Sequence, residues 1–164
     1  MSSKPETLCP SAPPDWEGAR LFAVAVGTPD RPSNAYLDQV QPVTRELLDL
    51  AAPAEPTEVF RFAAPCAERS CGHYDGTAHK CRLVEKTVRW IPGVVEKLPR
   101  CAIRVSCRWW QQEGRAACQR CPQVVTVNYA AGENSRRAAD PRAAAESSEM
   151  DAEVTSALRR ALGN

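Results

Sequence analysis

Apolar positions along the chain come in short blocks whose period changes, separated by proline- and glycine-rich punctuation. Leu21 to Val26 is a continuous apolar run closed by Gly27, the pattern of a strand buried on both faces. Residues 27–34 are a turn by composition, after which Ala35 to Val40 can return as a second strand. Thr44 predicts an N-cap for a helix over 44–51, with Pro53 as its stop. Residues 57–62 alternate, Val59 and Arg61 against Phe60 and Phe62. That predicts a half-buried strand delivering the chain to Cys66.

The period then lengthens. Cys81 to Trp90 predicts a helix with Leu83, Val84, Thr87 and Val88 on one side, broken by Pro92-Gly93. Residues 94–98 predict one further turn and Cys101 to Arg104 a short extended piece. Ser106 reads as the cap of a helix through Trp109, Trp110 and Gln112 that ends at Gly114. A last turn, Arg115 to Gln119, leads into Cys118-Gln119-Arg120-Cys121-Pro122. Together these elements predict an α+β fold, a small N-terminal β-sheet with one helix followed by a helical, cysteine-rich, metal-bound lobe.

The ends read differently. Residues 1–18 are polar and proline-rich and predict a disordered N-terminus, neither signal peptide nor membrane span. Beyond Tyr129 the chain turns polar and alanine-rich, which bounds a single domain at 19–131, its metal lobe at 66–129, and leaves a linker over 132–147. Residues 148–163 predict an amphipathic helix, because Met150, Val154, Leu158 and Leu162 recur every four residues behind Ser148 and Asp151. Such a helix is marginal alone. Its stripe would dock on this domain or in the groove of a protein partner.

Composition changes the picture at one place. Seven of the eight cysteines lie between Cys66 and Cys121, together with both histidines, His73 and His79. That density marks a scaffold held by metal or disulfides rather than by an oily core. With no secretory leader read at its start, the expected compartment is the cytoplasm, where thiols stay reduced and clustered cysteines read as metal or redox chemistry. Cys9, outside the window, reads as a free exposed thiol. The net charge of +1 hides ten basic residues against three acids between Lys80 and Cys121. Arginines such as Arg104, Arg108 and Arg120 would offset the negative charge of a thiolate-bound centre. A nucleic-acid footprint is the weaker reading, since the charges are spread through the window.

The spacing is Cys66-x4-Cys71-x9-Cys81-x19-Cys101-x5-Cys107-x10-Cys118-x2-Cys121. Cys101, Cys107, Cys118 and Cys121 supply the four thiolates that a tetrahedral zinc or a cubane iron–sulfur cluster requires. Cys66, Cys71 and Cys81 supply three more, with His73 or His79 as fourth ligand, and His73 is the better placed in sequence. Structural zinc usually takes two short knuckles. The long, irregular gaps here, and Pro122 directly after the last cysteine, favour a 4Fe-4S cluster. Trp109 and Trp110 would give it a dry wall. The competing expectation is a zinc-stabilised interaction module whose metals are purely structural, binding nucleic acid or a protein partner. Glycine loops for phosphate, nucleophile elbows and HExxH are absent from the sequence, which lowers the expectation of an enzyme.

The run CAIRVSCRWWQQEGRAACQRCPQVVT, Cys101 to Thr126, resembles the cysteine-rich block of small uncharacterised bacterial proteins, and Cys71-Gly72-His73-Tyr74-Asp75-Gly76 is similar to the first part of that block. The resemblance implies that the seven clustered cysteines belong to one unit. It carries no activity and does not choose the metal. The function expected is therefore electron transfer or redox or iron sensing on behalf of a partner.

Overall fold

A computed structural model describes residues 5–124 and 131–143 together with residues 157, 160 and 161. The continuous apolar run becomes β2 (Arg20–Thr28), flanked by β3 (Arg31–Pro42) and β4 (Phe60–Pro65), with β1 (Leu8–Cys9) beyond β4. All neighbours in this four-stranded sheet are antiparallel. The β2–β3 turn is tighter than composition predicts. Gly27 sits at φ +85°, and a Cβ there would come within 2.3 Å of the Arg31 carbonyl oxygen, so only glycine closes the turn. Pro32 falls inside β3, which tolerates it because β3 is an edge strand.

Thr44 caps α1 (Arg45–Asp49) as expected, its hydroxyl accepting from the Leu47 N–H at 3.1 Å. The strand expected over 57–62 starts later. Pro56–Val59 forms α2, fixed by Pro56 in the first turn and by the reciprocal Glu55–Glu58 capping box. From Phe60 to Ala64 every residue is buried, Arg61 included, at 3% exposure. The alternation was a misleading signal because both faces of β4 are covered. One face meets α1 and α2 through Leu21, Ala51, Phe60 and Phe62. The other meets the cysteine lobe through Phe22, Ala23, Val84, Ile103 and Trp109. A register shift between Leu21 and Ala23 coincides with consecutive residues Phe22 and Ala23 both joining the lobe side.

The lobe opens with a hairpin that was not foreseen, β5 (Tyr74–Asp75) and β6 (Lys80–Cys81), whose loop is held by Asp75 accepting from the N–H groups of Thr77 and Ala78. It continues as α3 (Arg82–Trp90), α4 (Arg108–Glu113) and α5 (Arg115–Cys118). Residues 94–98 form bends, not a helical turn, pinned where Val94 donates to the Gln119 carbonyl. Cys101 opens a turn rather than an extended piece, followed by a 3-10 helix at Arg104–Ser106, and the cap of α4 is Cys107, one residue past Ser106.

Two boundaries move. The segment expected to be disordered carries β1, whose Leu8 is 3% exposed and whose neighbour Ala12 is fully buried. A proline-rich run can pair at a sheet edge when its few apolar residues face the core. The expected linker contains α6 (Glu133–Ala139), packed on α3 with Ala138 buried and the Arg137 guanidinium 4.8 Å from the Trp90 ring centroid. The Lys86 ammonium donates to the Asp140 carbonyl at 2.5 Å, so the domain extends to Ala143 rather than ending near residue 131. Met150, Val154, Leu158 and Leu162 of the expected terminal helix lie outside the described residues. Among the described residues no helix is long and apolar enough to cross a membrane.

Candidate metal centre

Cys101, Cys107, Cys118 and Cys121 line one partly open pocket. Short local elements aim each thiol. Cys101 precedes a turn in which Arg104 donates to its carbonyl, and Cys107 caps α4. Cys118 ends α5, and Cys121 opens a 3-10 turn with Pro122 at its start. The sheet reaches across to hold that turn. Arg61 donates to the Cys121 carbonyl at 3.0 Å and also to the Val124 carbonyl, so backbone oxygens of the lobe take the place of water around this buried cation.

The walls are aromatic and dry. Phe22 and Tyr36 come from β2 and β3, Trp109 and Trp110 from α4, and Pro10 from the chain just past β1. Burial raises the Cys101 thiol to about 11, and the neighbouring Cys121 and Cys118 thiolates add to the shift while Arg104 opposes it. Burial pushes Cys107 and Cys118 up as well, each with Cys121 repelling its charge. Tyr36 is raised by burial and by Cys121. At Cys101, Cys107 and Cys118 burial favours the protonated thiol, a preference that a cationic centre would reverse.

Hydrogen-bond donors stand ready for sulfur. The Asn34 amide nitrogen lies 4.0 Å from the Cys121 Sγ. The Trp109 indole N–H and Arg104 Nε are buried with no partner among the described residues. Arg104 also covers Trp110, 5.1 Å from its ring centroid, and donates to the Pro99 carbonyl. Arg120 does not join the charge balance as expected. It donates to the carbonyls of Ile91 at 2.5 Å and Ala116 at 2.8 Å, tying α5 to the end of α3.

The remaining thiols form a second group, and Cys9 joins it. His73 has its Nδ1 buried with no hydrogen-bond partner among the described residues. Its ring is half-buried beside Lys86, Arg82 and Asp140, and burial followed by the two cations lowers its pKa. The hairpin turns it toward α3 and α6, while the other histidine, His79, sits exposed in the hairpin loop within 3.4 Å of the Tyr74 hydroxyl. Cys9, in contrast, is neither exposed nor isolated. Burial pushes it up to about 12, opposed by the Ser11 N–H and reinforced by Cys81, Cys66 and Cys71. Cys81 is likewise raised by burial and by Cys66 and Cys71, partly offset by the first N–H groups of α3. Sequence reading missed Cys9 because strand pairing across more than fifty residues brings it in, and nothing in local spacing signals that.

All eight cysteines are free thiols. Among the described residues no three His, Cys, Asp or Glu side chains are placed so that they could hold one metal ion. The pocket thiols share one lined space. Comparison of the chain with families of known proteins, with curated proteins and with solved structures finds no match.

Proposed function

We propose that the protein is a small iron–sulfur protein in which Cys101, Cys107, Cys118 and Cys121 hold a 4Fe-4S cluster, serving a partner by electron transfer or by redox or iron sensing. One observation carries this reading: four thiols, with no histidine or carboxylate, line a single half-enclosed pocket with aromatic walls. A tetrahedral zinc would draw its sulfurs to about 3.8 Å from one another, given Zn–S bonds of about 2.3 Å. A cubane core holds its thiolates farther apart because irons and sulfides stand between them. Four thiols carried on separate short elements around one shared space supply the ligand number that a cubane needs.

The chain's own residues would bind, shield and tune. Trp109, Trp110, Phe22 and Tyr36 exclude water, and Arg104 offsets anionic charge. Unpartnered N–H groups on Trp109 and Arg104 can donate to sulfur, the kind of contact that sets a cluster's potential. Anaerobic purification tests the reading. A brown protein whose visible absorbance bleaches with dithionite, and whose iron and acid-labile sulfide fall in Cys118→Ser, is the expected result. A colourless protein with stoichiometric zinc would overturn it in favour of a structural zinc module.

A further inference from the structure

We propose that Cys9, Cys66, Cys71 and Cys81 form a second all-cysteine site, separate from the first, that takes a second 4Fe-4S cluster. It rests on the reading of the first pocket for the identity of the cluster, since the donor set is the same. The grouping of the four thiols stands on the fold.

Strand register brings the first two together. Cys9 pairs with Ala64, and the Cys66 N–H donates to the Thr7 carbonyl at 2.8 Å, continuing the same ladder. Cys66 lies two residues past Ala64, so both sulfurs project from one face as diagonal neighbours, about 7–8 Å apart at the backbone. At that separation both side chains can reach one shared metal centre.

Local turns bring the other two. The chain leaves Cys66 through a 3-10 turn, Glu68–Ser70, in which the Cys71 N–H donates to Glu68 at 2.8 Å. The Cys71 carbonyl accepts from Tyr74 at 3.0 Å, and Tyr74 pairs directly with Cys81 across the hairpin. From the far side α4 locks the arrangement. The Gln112 side-chain amide accepts from the Cys81 N–H at 2.8 Å and donates to the Cys81 carbonyl at 3.0 Å. Arg108 pairs with Glu68 at 2.5 Å, covers Tyr74 at 5.6 Å and lies against Cys66. Its Nε is buried without a partner, a donor left over for sulfur. Arg108 thus does for this site what Arg104 does for the other.

The two sites share a wall. Cys9 belongs to the second, and the next residue, Pro10, lines the first. Leu8 bridges to Cys107, a ligand of the first. Clusters in two such sites would be near neighbours, the arrangement of a two-cluster electron carrier.

The test is anaerobic reconstitution of the full chain with ferrous iron and sulfide, counting both per chain. The expected result is about eight iron and eight sulfide for the wild type and about four of each for Cys9→Ser and for Cys71→Ser. His73→Ala should keep all of it, and the dithionite-reduced wild type should give a spin-coupled paramagnetic spectrum that becomes that of an isolated cluster in Cys9→Ser. The remaining cluster itself reports that each variant is folded. Cys71→Ser, which lies outside the four-stranded sheet, answers for any damage that Cys9→Ser does to β1. A wild type with about four irons that Cys9→Ser and Cys71→Ser leave untouched overturns the proposal. So does total loss in Cys71→Ser, which would make the sites one unit, or zinc in place of the second cluster. If instead Cys118→Ser loses nothing while Cys9→Ser loses its iron, the first reading fails and this one stands.

Discussion

The two four-thiol groups are built by opposite routes. Cys101 to Cys121 come from one stretch of chain, folded on itself by short helices and turns whose bonds are mostly local. Cys9, Cys66, Cys71 and Cys81 come from two distant stretches joined by strand pairing, with α4 acting as a clamp from the side. A site of the first kind depends on local turns. A site of the second kind depends on register, because a slip of one residue in β1 would send the Cys9 sulfur to the other face of the sheet.

The most severe way to break the difference is to remove metal altogether. The lobe has few large buried side chains, so on the proposed reading ligand binding would supply much of its folding energy. Anaerobic chelation should abolish the cooperative thermal transition and most of the helical circular dichroism, erasing both groups together. Retention of the native spectrum and melting temperature would refute a metal role for either. A milder cut is Leu8→Ala. Truncating this buried residue should cost about 2–5 kcal/mol in denaturant unfolding, as buried Leu→Ala changes do. Because Leu8 directs β1 but also packs with Cys107, iron loss should be heavier in the Cys9 group than in the other. Equal loss from both would dissolve the distinction.

Arg61→Met probes the other side. It leaves the carbonyls of Cys121 and Val124 without their donor, at a cost of about 1–3 kcal/mol, and should lower cluster content at the Cys101–Cys121 group while sparing Cys9. Selective loss from the Cys9 group would reverse the assignment. The smallest effect is that of pH. Burial raises Cys9 to about 12 and Cys101 to about 11, so protonation is favoured and protons compete with iron more strongly than at ordinary thiols. As pH falls, cluster should be lost, and bleaching should begin at a higher pH than in a peptide with exposed thiols. For metal-free chains that stay folded the sign inverts. Their neutral thiols are favoured below the ordinary value of 9.0, and stability falls as pH rises from there toward 11–12.

Where chemistry was written locally, the sequence was readable. The β2 run, the Thr44 cap, α3 and the Cys101–Cys121 group all follow from spacing or from a capping residue, signals that act within a few positions. The misreadings share a different cause. Residues 57–62 looked amphipathic because Arg61 looked like a solvent-facing residue, and only its partners sixty residues downstream make its burial tolerable. Cys9 looked like a stray thiol in a proline-rich tail because sequence distance stood in for spatial distance. Alanines 138 and 143 carry too little hydrophobic signal to reveal that α6 packs.

Arg61 also sets a clock. It leaves the ribosome long before the Cys121 carbonyl that it binds, a gap of sixty residues, or roughly 3–12 s of synthesis at about 5–20 residues per second. During that interval the guanidinium has no partner and must stay hydrated, so the lobe side of the sheet cannot dry. The Cys9 group has all its thiols once Cys81 emerges, yet it too lacks its Gln112 clamp until later. A nascent chain would therefore have no enclosed site to offer, and a cluster of the kind proposed would be inserted only after the chain has been made to about Val124.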